Sequence, residues 1–104
     1  MQNDEYEIVY LPQARLDINE ILNYILDKLK NPTAAERFID NLEKKIENLA
    51  HHPYICAIYK WNHKFDYEYR QIFVGNYMVF YVMMENFVEI HRVIHTTRNM
   101  ELLI

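Results

Sequence analysis

The fold is decided by residues 69–98, YRQIFVGNYMVFYVMMENFVEIHRVIHTTR, which predict three consecutive β-strands. Gly75-Asn76 indicates a two-residue hairpin, because glycine accepts the positive φ that the first position of a type II′ turn requires. Glu85-Asn86 indicates a second, weaker turn. The segments between the turns are rich in valine, isoleucine, phenylalanine and tyrosine, which suit a pleated surface. Polar side chains interrupt these apolar strands at a few positions: Arg70, His91, Arg92, His95 and Arg98.

The chain has 104 residues and a single cysteine, Cys56. This length suits one domain with a modest core, and we expect residues 1–104 to form it. No apolar run is long enough to predict a transmembrane helix, and the acidic N-terminus is not typical of a secretory signal. With one cysteine no intrachain disulfide can form, which favours the reducing cytoplasm.

The formal net charge of −4 is unevenly distributed. Residues 1–50 carry six Lys or Arg and ten Asp or Glu, whereas residues 51–104 carry five of each class and all five histidines. Proteins that bind nucleic acid by neutralising phosphates usually have a basic domain. The sequence therefore disfavours independent DNA binding.

The first fifty residues predict a strand followed by two helices. Alternation over residues 5–11 indicates the strand. Asn31-Pro32 predicts the end of the first helix, since the residue before proline avoids the α region. Thr33 and Glu36 fit a capping box that would start the second helix. Apolar residues recur at helical spacing in both helices: Ile18, Ile21, Leu22, Ile25 and Leu29 in the first, and Ala35, Phe38, Ile39, Leu42, Ile46 and Leu49 in the second.

A short connection forces the two helices into an antiparallel hairpin, and each helix needs a surface to cover its apolar face. The sheet supplies that surface. The sequence therefore predicts an α+β domain of order β-α-α-β-β-β, with an antiparallel sheet and the helical hairpin packed on one face. The aromatic-rich stretch from residue 54 to residue 67 is predicted to be a long connection.

The last predicted strand contains an arginine in an otherwise apolar row. Strand alternation puts Arg92 on the same side as Ile90 and Ile94, which is predicted to face the helices. A buried, unpaired guanidinium is very costly, so Arg92 should pair with a carboxylate of the helices or reach the sheet's edge. Arg70 repeats this pattern in an earlier strand. The other interpretation of these two arginines is a groove at the end of the sheet that binds an anion or a partner. Arg98 lies beyond the last strand, where it is either a solvated residue or a functional cation.

Neither a metal site nor a cofactor site is predicted. His91 and His95 lie four residues apart, which in a strand is roughly 13 Å, too far for two ligands of one ion. Gly75 belongs to a turn, since no glycine-rich phosphate loop surrounds it. No Ser-His-Asp or Cys-His pattern indicates a nucleophilic active site.

Four segments together resemble toxins of the RelE/ParE superfamily, the toxin halves of type II toxin–antitoxin pairs, which include plasmid-stabilisation systems. The segments are ARLDINEILNYI (14–25), ERFIDNLEKKIENLAHHP (36–53), YRQIFVGNYMVFYVM (69–83) and IHRVIHTTRN (90–99). The resemblance implies a compact sheet with a helical hairpin packed on it. It also implies a cognate antitoxin whose chain wraps the toxin.

One branch of the superfamily comprises ribosome-dependent mRNA endonucleases such as RelE and YoeB. Such an enzyme needs cations around the scissile phosphate and a group that moves the proton of the 2′-hydroxyl. The resemblance to RelE implies that the cationic residues of RelE correspond approximately to four positions of this sequence: Tyr69, Gln71, Met78 and Arg98. Only Arg98 keeps the charge, so most of the cationic site is missing.

The enzyme interpretation stays open as the alternative function. It describes a metal-independent mRNA endonuclease whose partners are the ribosome and mRNA. A histidine and a tyrosine would help the cleavage, as the resemblance to YoeB implies. The catalytic residues would then be Arg98, His95, Arg92 and Tyr81.

The other branch, ParE, consists of proteins that poison DNA gyrase and are not nucleases. The helix with Asp17 and Tyr24, the Tyr69-Arg70 pair and the segment 92–95 resemble ParE more than RelE. An inhibitor that acts by protein–protein contact needs no basic face, which agrees with the charge. We therefore expect a ParE-like toxin that inhibits DNA gyrase and is neutralised by its antitoxin; a non-toxic relative is a third interpretation. The predicted partner-binding residues are Arg70, Arg92, His95 and Arg98.

Overall fold

The computed structural model of the chain describes residues 5–54, 58 and 67–98. Cys56 and most of the predicted connection from 54 to 67 lie outside these residues. Within them, no helix is both long and apolar enough to cross a membrane. The elements in chain order are β1 (Glu7–Tyr10), α1 (Pro12–Asn23), a π turn that continues it (Tyr24–Lys28), α2 (Pro32–His51), β2 (Arg70–Val74), β3 (Tyr77–Met83) and β4 (Phe87–His95).

The strands form one sheet in the order β1-β4-β3-β2. The pairs β2–β3 and β3–β4 are antiparallel, and Gly75 in the first hairpin has the expected positive φ of 58°. The predicted α+β class and element order are confirmed, but the sheet is mixed, because β1 pairs in parallel with β4. The reason is that α1 follows β1 after one residue and packs on β4, so that β1 runs alongside β4 in the same direction.

The start of α2 differs from the predicted capping box. Asn31 is the N-cap residue, and its side-chain oxygen accepts a hydrogen bond from the Ala34 N–H at 3.1 Å. Pro32 is the first helical residue, where its missing N–H costs nothing. The prediction that Thr33 and Glu36 cap the helix is therefore wrong. The extended backbone that a residue adopts before proline is also what an N-cap requires.

The end of the first helix also departs from regular α-helix. The Leu29 N–H donates to the Tyr24 carbonyl at 3.2 Å, a spacing of five residues that widens the turn. Residues beyond such a turn are rotated relative to the α-helical stripe. Ile25 is buried as predicted, but Leu29 is 54% exposed, so its predicted place on the buried face is wrong.

The helical hairpin packs on one face of the sheet, and this face holds the main core. Its buried members from α2 confirm the predicted apolar stripe, since Phe38, Leu42 and Ile46 are all at most 7% exposed. The opposite face, which we call the far face, carries a second apolar cluster. That cluster consists of Tyr69, Phe80, Val82 and Ile94, with Met78 and Met84 packed against it.

A β-bulge in β4 changes which residues face the helices. Phe80 pairs with Arg92 and Tyr81 pairs with Ile90, so His91 is an extra residue in β4. One inserted residue reverses strand alternation. As a result Ile94 belongs to the far-face cluster. The prediction that Arg92 and Ile94 share the helix-facing side with Ile90 is wrong. Arg92 pairs with Phe80 on the far-face register, and its side chain reaches Asp17 of α1 from there.

Candidate functional site

A cleft of about 550 Å³ lies between α1, its π turn and the ends of β3 and β4. We call it the α1–β4 cleft. From the strand side it is lined by three of the residues that the sequence singled out: Arg92, His95 and Arg98. From the helix side it is lined by the buried Asp17, the partly buried Ile21 and the exposed Tyr24 and Leu29.

Asp17 and Arg92 form a close, largely buried ion pair at the floor of the cleft. Arg92 Nε donates to Asp17 Oδ2 at 2.8 Å, and Arg92 Nη2 donates to Oδ1 at 3.0 Å. Such a two-point contact fixes the guanidinium plane as well as its charge. Of the two interpretations of Arg92, the ion pair with a helical carboxylate is the one observed.

The same carboxylate also completes the sheet. β1 ends at Tyr10, opposite Ile90, so β4 continues beyond its edge partner. An unpaired backbone N–H at this edge would be costly if buried. The Asp17 carboxylate accepts the Val93 N–H at 2.9 Å, and α1 thereby covers the edge. Asp17 accepts a further bond from the Gln13 amide at 3.2 Å, so both of its oxygens are engaged.

His95 ends β4, and its ring is held by the residues that follow. The Thr97 N–H donates to His95 Nδ1 at 3.2 Å, and the Thr97 hydroxyl lies 2.8 Å from the same nitrogen. A nitrogen that accepts a backbone N–H carries no proton of its own. In the neutral ring the proton is therefore on Nε2, which makes His95 a hydrogen-bond donor.

Arg98 is exposed and follows the last strand, where its backbone N–H donates to the His95 carbonyl at 2.9 Å. Across the described ranges its guanidinium makes no ion pair or hydrogen bond. The cleft lining holds two arginines and two carboxylates, the second carboxylate being that of Glu20. Its formal charge is therefore balanced when His95 is neutral.

Two tyrosines, Tyr24 and Tyr77, line the cleft. Burial, and then the nearby Tyr24, raise the pKa of the Tyr77 hydroxyl. Tyr77 thus remains a neutral hydrogen-bond donor at physiological pH. Its ring meets the edge of the His95 ring at 5.3 Å, which orients the histidine from the strand side.

The other two predicted site residues lie elsewhere. Arg70 begins β2, and its guanidinium lies over the Tyr54 ring at 5.0 Å, far along the sheet from His95. Tyr81 is fully buried, and its hydroxyl donates to the Pro53 carbonyl at 2.7 Å. The structure therefore brings together Arg92, His95 and Arg98 but neither Arg70 nor Tyr81.

The sequence reasoning missed Tyr24 and Leu29 as parts of the cleft. Helical spacing gave no signal of the π turn between them. It also left the partner of Arg92 unidentified among the helical carboxylates. No three His, Cys, Asp or Glu side chains converge as a metal site within residues 5–54, 58 and 67–98.

The helical hairpin packed on a small sheet agrees with the fold that the resemblance to toxins of the RelE/ParE superfamily implies. The model of the family described as ParE toxin of type II toxin-antitoxin system, parDE, matches residues 8–100. The chain belongs to this ParE toxin family. Membership implies that its partner is a cognate antitoxin.

Solved structures show the same fold at low sequence identity. The chromosomal ParDE toxin–antitoxin system from P. aeruginosa is similar with a TM-score of 0.71 and 12% identity, covering 89% of this chain and 98% of that chain. The E. coli DinJ-YafQ toxin–antitoxin complex is similar with a TM-score of 0.56 and 14% identity, covering 89% of this chain and 94% of that chain.

The YoeB dimer from Staphylococcus aureus is similar with a TM-score of 0.54 and 15% identity, covering 88% of this chain and 97% of that chain. No curated protein sequence gives a significant match. The structural likenesses therefore support the fold, and the family model supports the type of toxin.

Proposed function

We propose that this toxin arrests growth by inhibiting DNA gyrase through protein–protein contact, and that its antitoxin neutralises it. The ParE family assignment supports the target, because the ParE branch acts on gyrase without cleaving nucleic acid. Such a target places the toxin in the cytoplasm. The contact is proposed to use Arg98 and His95 in the cleft, supported by Arg92, with Arg70 as a separate contact.

The separation of the cationic positions carries this proposal. A ribonuclease of this fold needs its cations around one phosphate. Tyr69 and Met78, where the resemblance to RelE expects cations, belong to the apolar cluster on the far face. Arg98 instead lines the cleft on the helix side. Tyr69 and Met78 therefore belong to a different side of the sheet from the cleft that Arg98 lines.

The groups inside the cleft also favour binding over proton transfer. The charge of Arg92 is compensated by Asp17. In neutral His95, Nδ1 is occupied by Thr97 and Nε2 carries the proton. The ring thus offers no free basic nitrogen for a 2′-hydroxyl proton.

The test is a supercoiling assay with purified gyrase and the purified toxin at micromolar concentration. We expect loss of supercoiling, and recovery when the cognate antitoxin is added first. In cells, induction should stop DNA replication before translation. Normal supercoiling at saturating toxin, with replication unaffected, would overturn the proposal.

A second candidate is the ribosome-dependent, metal-independent mRNA endonuclease. The observation in its favour is that Arg92, His95 and Arg98 line one cleft. It requires codon-positioned mRNA cleavage in a translation extract that is lost in Arg98→Ala. Cleavage that persists in Tyr81→Phe would assign the chemistry to the cleft alone. An intact message in that extract excludes this candidate.

A further inference from the structure

We propose that the α1–β4 cleft is the surface that holds the inhibited protein. Its occupant is a short acidic segment in which one carboxylate lies next to a large apolar side chain. This inference rests on the proposed function, because it describes how the toxin contacts its target. It adds Tyr24 and Leu29 to the contact and states the chemistry of the bound segment.

The apolar half of the cleft lies at the two ends of the π turn. Tyr24 begins this turn, and its side chain is 53% exposed. Leu29 follows the turn, and its side chain is 54% exposed. In a continuous α-helix Leu29 would follow the stripe of Ile25 into the core. π turns are rare in proteins, and those that occur are often found at functional sites. Here the irregular turn lies between two large, exposed apolar side chains that line the cleft.

The polar half of the cleft contains one cation that is not paired with a carboxylate, Arg98, beside the N–H donor of His95. Across the residues described, the Arg98 guanidinium has no ion-pair partner. Asp17 cannot serve as one, since its oxygens already accept bonds from Gln13, Arg92 and Val93. His95 adds an N–H donor through Nε2, because Nδ1 is occupied.

These donors and the apolar rim together select the occupant by charge complementarity. A guanidinium and an imidazole N–H both donate, so the matching group is an acceptor such as a carboxylate. The carboxylate of Glu20 also lines the cleft and disfavours a multiply charged phosphate. Tyr24 and Leu29 provide the contact for an apolar neighbour of that carboxylate. Interface hot spots are enriched in tyrosine and arginine, which agrees with this composition.

The experiment measures the affinity of purified gyrase for the full-length toxin and its variants by biolayer interferometry. Tyr24→Ala and Arg98→Glu are each expected to weaken binding about 30-fold, and Leu29→Ala about 10-fold, as for residues at the centre of an interface. All three side chains are exposed, so the variants should keep the wild-type circular dichroism spectrum and melting temperature.

Two control variants match these changes outside the cleft. Leu16→Ala truncates a leucine of α1 that is 55% exposed and does not line the cleft. Lys45→Glu makes the same charge change as Arg98→Glu at an exposed position of α2. Both controls are expected to bind gyrase within about twofold of the wild type, as surface positions outside an interface do.

The outcomes separate this inference from the proposed function. If wild-type toxin binds gyrase and the three cleft variants bind equally well, the inference fails and the proposed function stands. If wild-type toxin does not bind gyrase, both fail. Variants that bind gyrase normally but no longer bind the antitoxin, or no longer self-associate, would show that the cleft has a different occupant. That result would overturn the inference.

Discussion

The two faces of the sheet use their polar residues differently, and two histidines of β4 make the comparison clear. On the far face, His91 Nδ1 lies 3.0 Å from the Tyr69 hydroxyl and Nε2 lies 3.1 Å from Glu89 Oε1. Both ring nitrogens are engaged, and the ring is 8% exposed. On the helix side, His95 has one nitrogen engaged and lines an open cleft.

This difference indicates which side of the sheet is available for binding a partner. The far face is closed by apolar packing, and its histidine satisfies neighbouring polar groups. The helix side instead ends in a cleft where an ion pair, a donor histidine and an exposed arginine meet. The fold is shared with solved YafQ and YoeB structures, while Arg92, His95 and Arg98 of this chain line a cleft beside α1.

The largest expected effect comes from breaking the ion pair below the cleft. Asp17→Ala would leave the guanidinium of Arg92 buried without its carboxylate and the Val93 N–H without an acceptor. We expect a loss of about 3–5 kcal/mol of unfolding free energy. Urea denaturation followed by circular dichroism measures it.

A double variant tests whether the charge itself causes that loss. Asp17→Leu with Arg92→Met replaces the pair by apolar side chains of similar size and should recover much of the stability. If the double variant is as unstable as Asp17→Ala, lost packing or the lost Val93 bond is the cause.

The second prediction compares the two faces directly with one residue type. Ile90 packs on the helix side and is 0% exposed, whereas Ile94 packs on the far face and is 5% exposed. Ile90→Ala and Ile94→Ala should each cost about 2–5 kcal/mol, because each opens a cavity in a close-packed cluster. The measurement is the midpoint and slope of denaturant unfolding. A cost below about 1 kcal/mol for Ile94→Ala would mean that the far face is not a true core.

The third prediction concerns Tyr81, the tyrosine that the enzyme interpretation uses. Tyr81→Phe removes the donor to the buried Pro53 carbonyl and should cost about 1–2 kcal/mol. Toxicity after induction should be unchanged at a temperature where the variant is folded. If the Tyr81→Phe variant is fully folded but no longer toxic, the Tyr81 hydroxyl has a functional role.

The smallest expected effect is a change in stability at alkaline pH. Burial, and then Glu43, raise the pKa of Tyr10 above 10.0, although Arg15 opposes the shift. The unfolded chain therefore loses this proton first as the pH rises above 10.0, and the stability falls until the raised pKa of the folded state is passed. Tyr10→Phe should flatten this part of the pH–stability profile. An identical slope in the variant would assign the loss to other groups.

The sequence was sufficient for those parts of the fold that depend on local patterns. Helical spacing located the buried stripe of α2, and Gly75-Asn76 located the first hairpin. It was insufficient where one residue changes the geometry. Neither the π turn nor the bulge at His91 leaves a mark in the spacing of apolar residues. The parallel pairing of β1 depends on how α1 packs, which no segment encodes by itself.

The candidate site was predicted in part for a similar reason. Arg92, His95 and Arg98 are close in sequence at the end of one strand, so their proximity in space follows from the chain. Asp17 joins them from 75 positions away, and only the packed helix brings it there. Tyr81 was a candidate by its residue type alone, and its register in β3 places it in the core, apart from the other three.

The pairing of β1 with β4 also determines when the toxin can become complete during synthesis. Glu7 pairs with Phe87, and Asp17 reaches Arg92, so the first strand and first helix must wait for the last strand. Contacts this distant in sequence make assembly slow and late, whereas the β2–β3 hairpin can form early. The cleft that we assign to the target is thus among the last parts of the fold to form. A nascent chain that is missing β4 therefore has no such cleft.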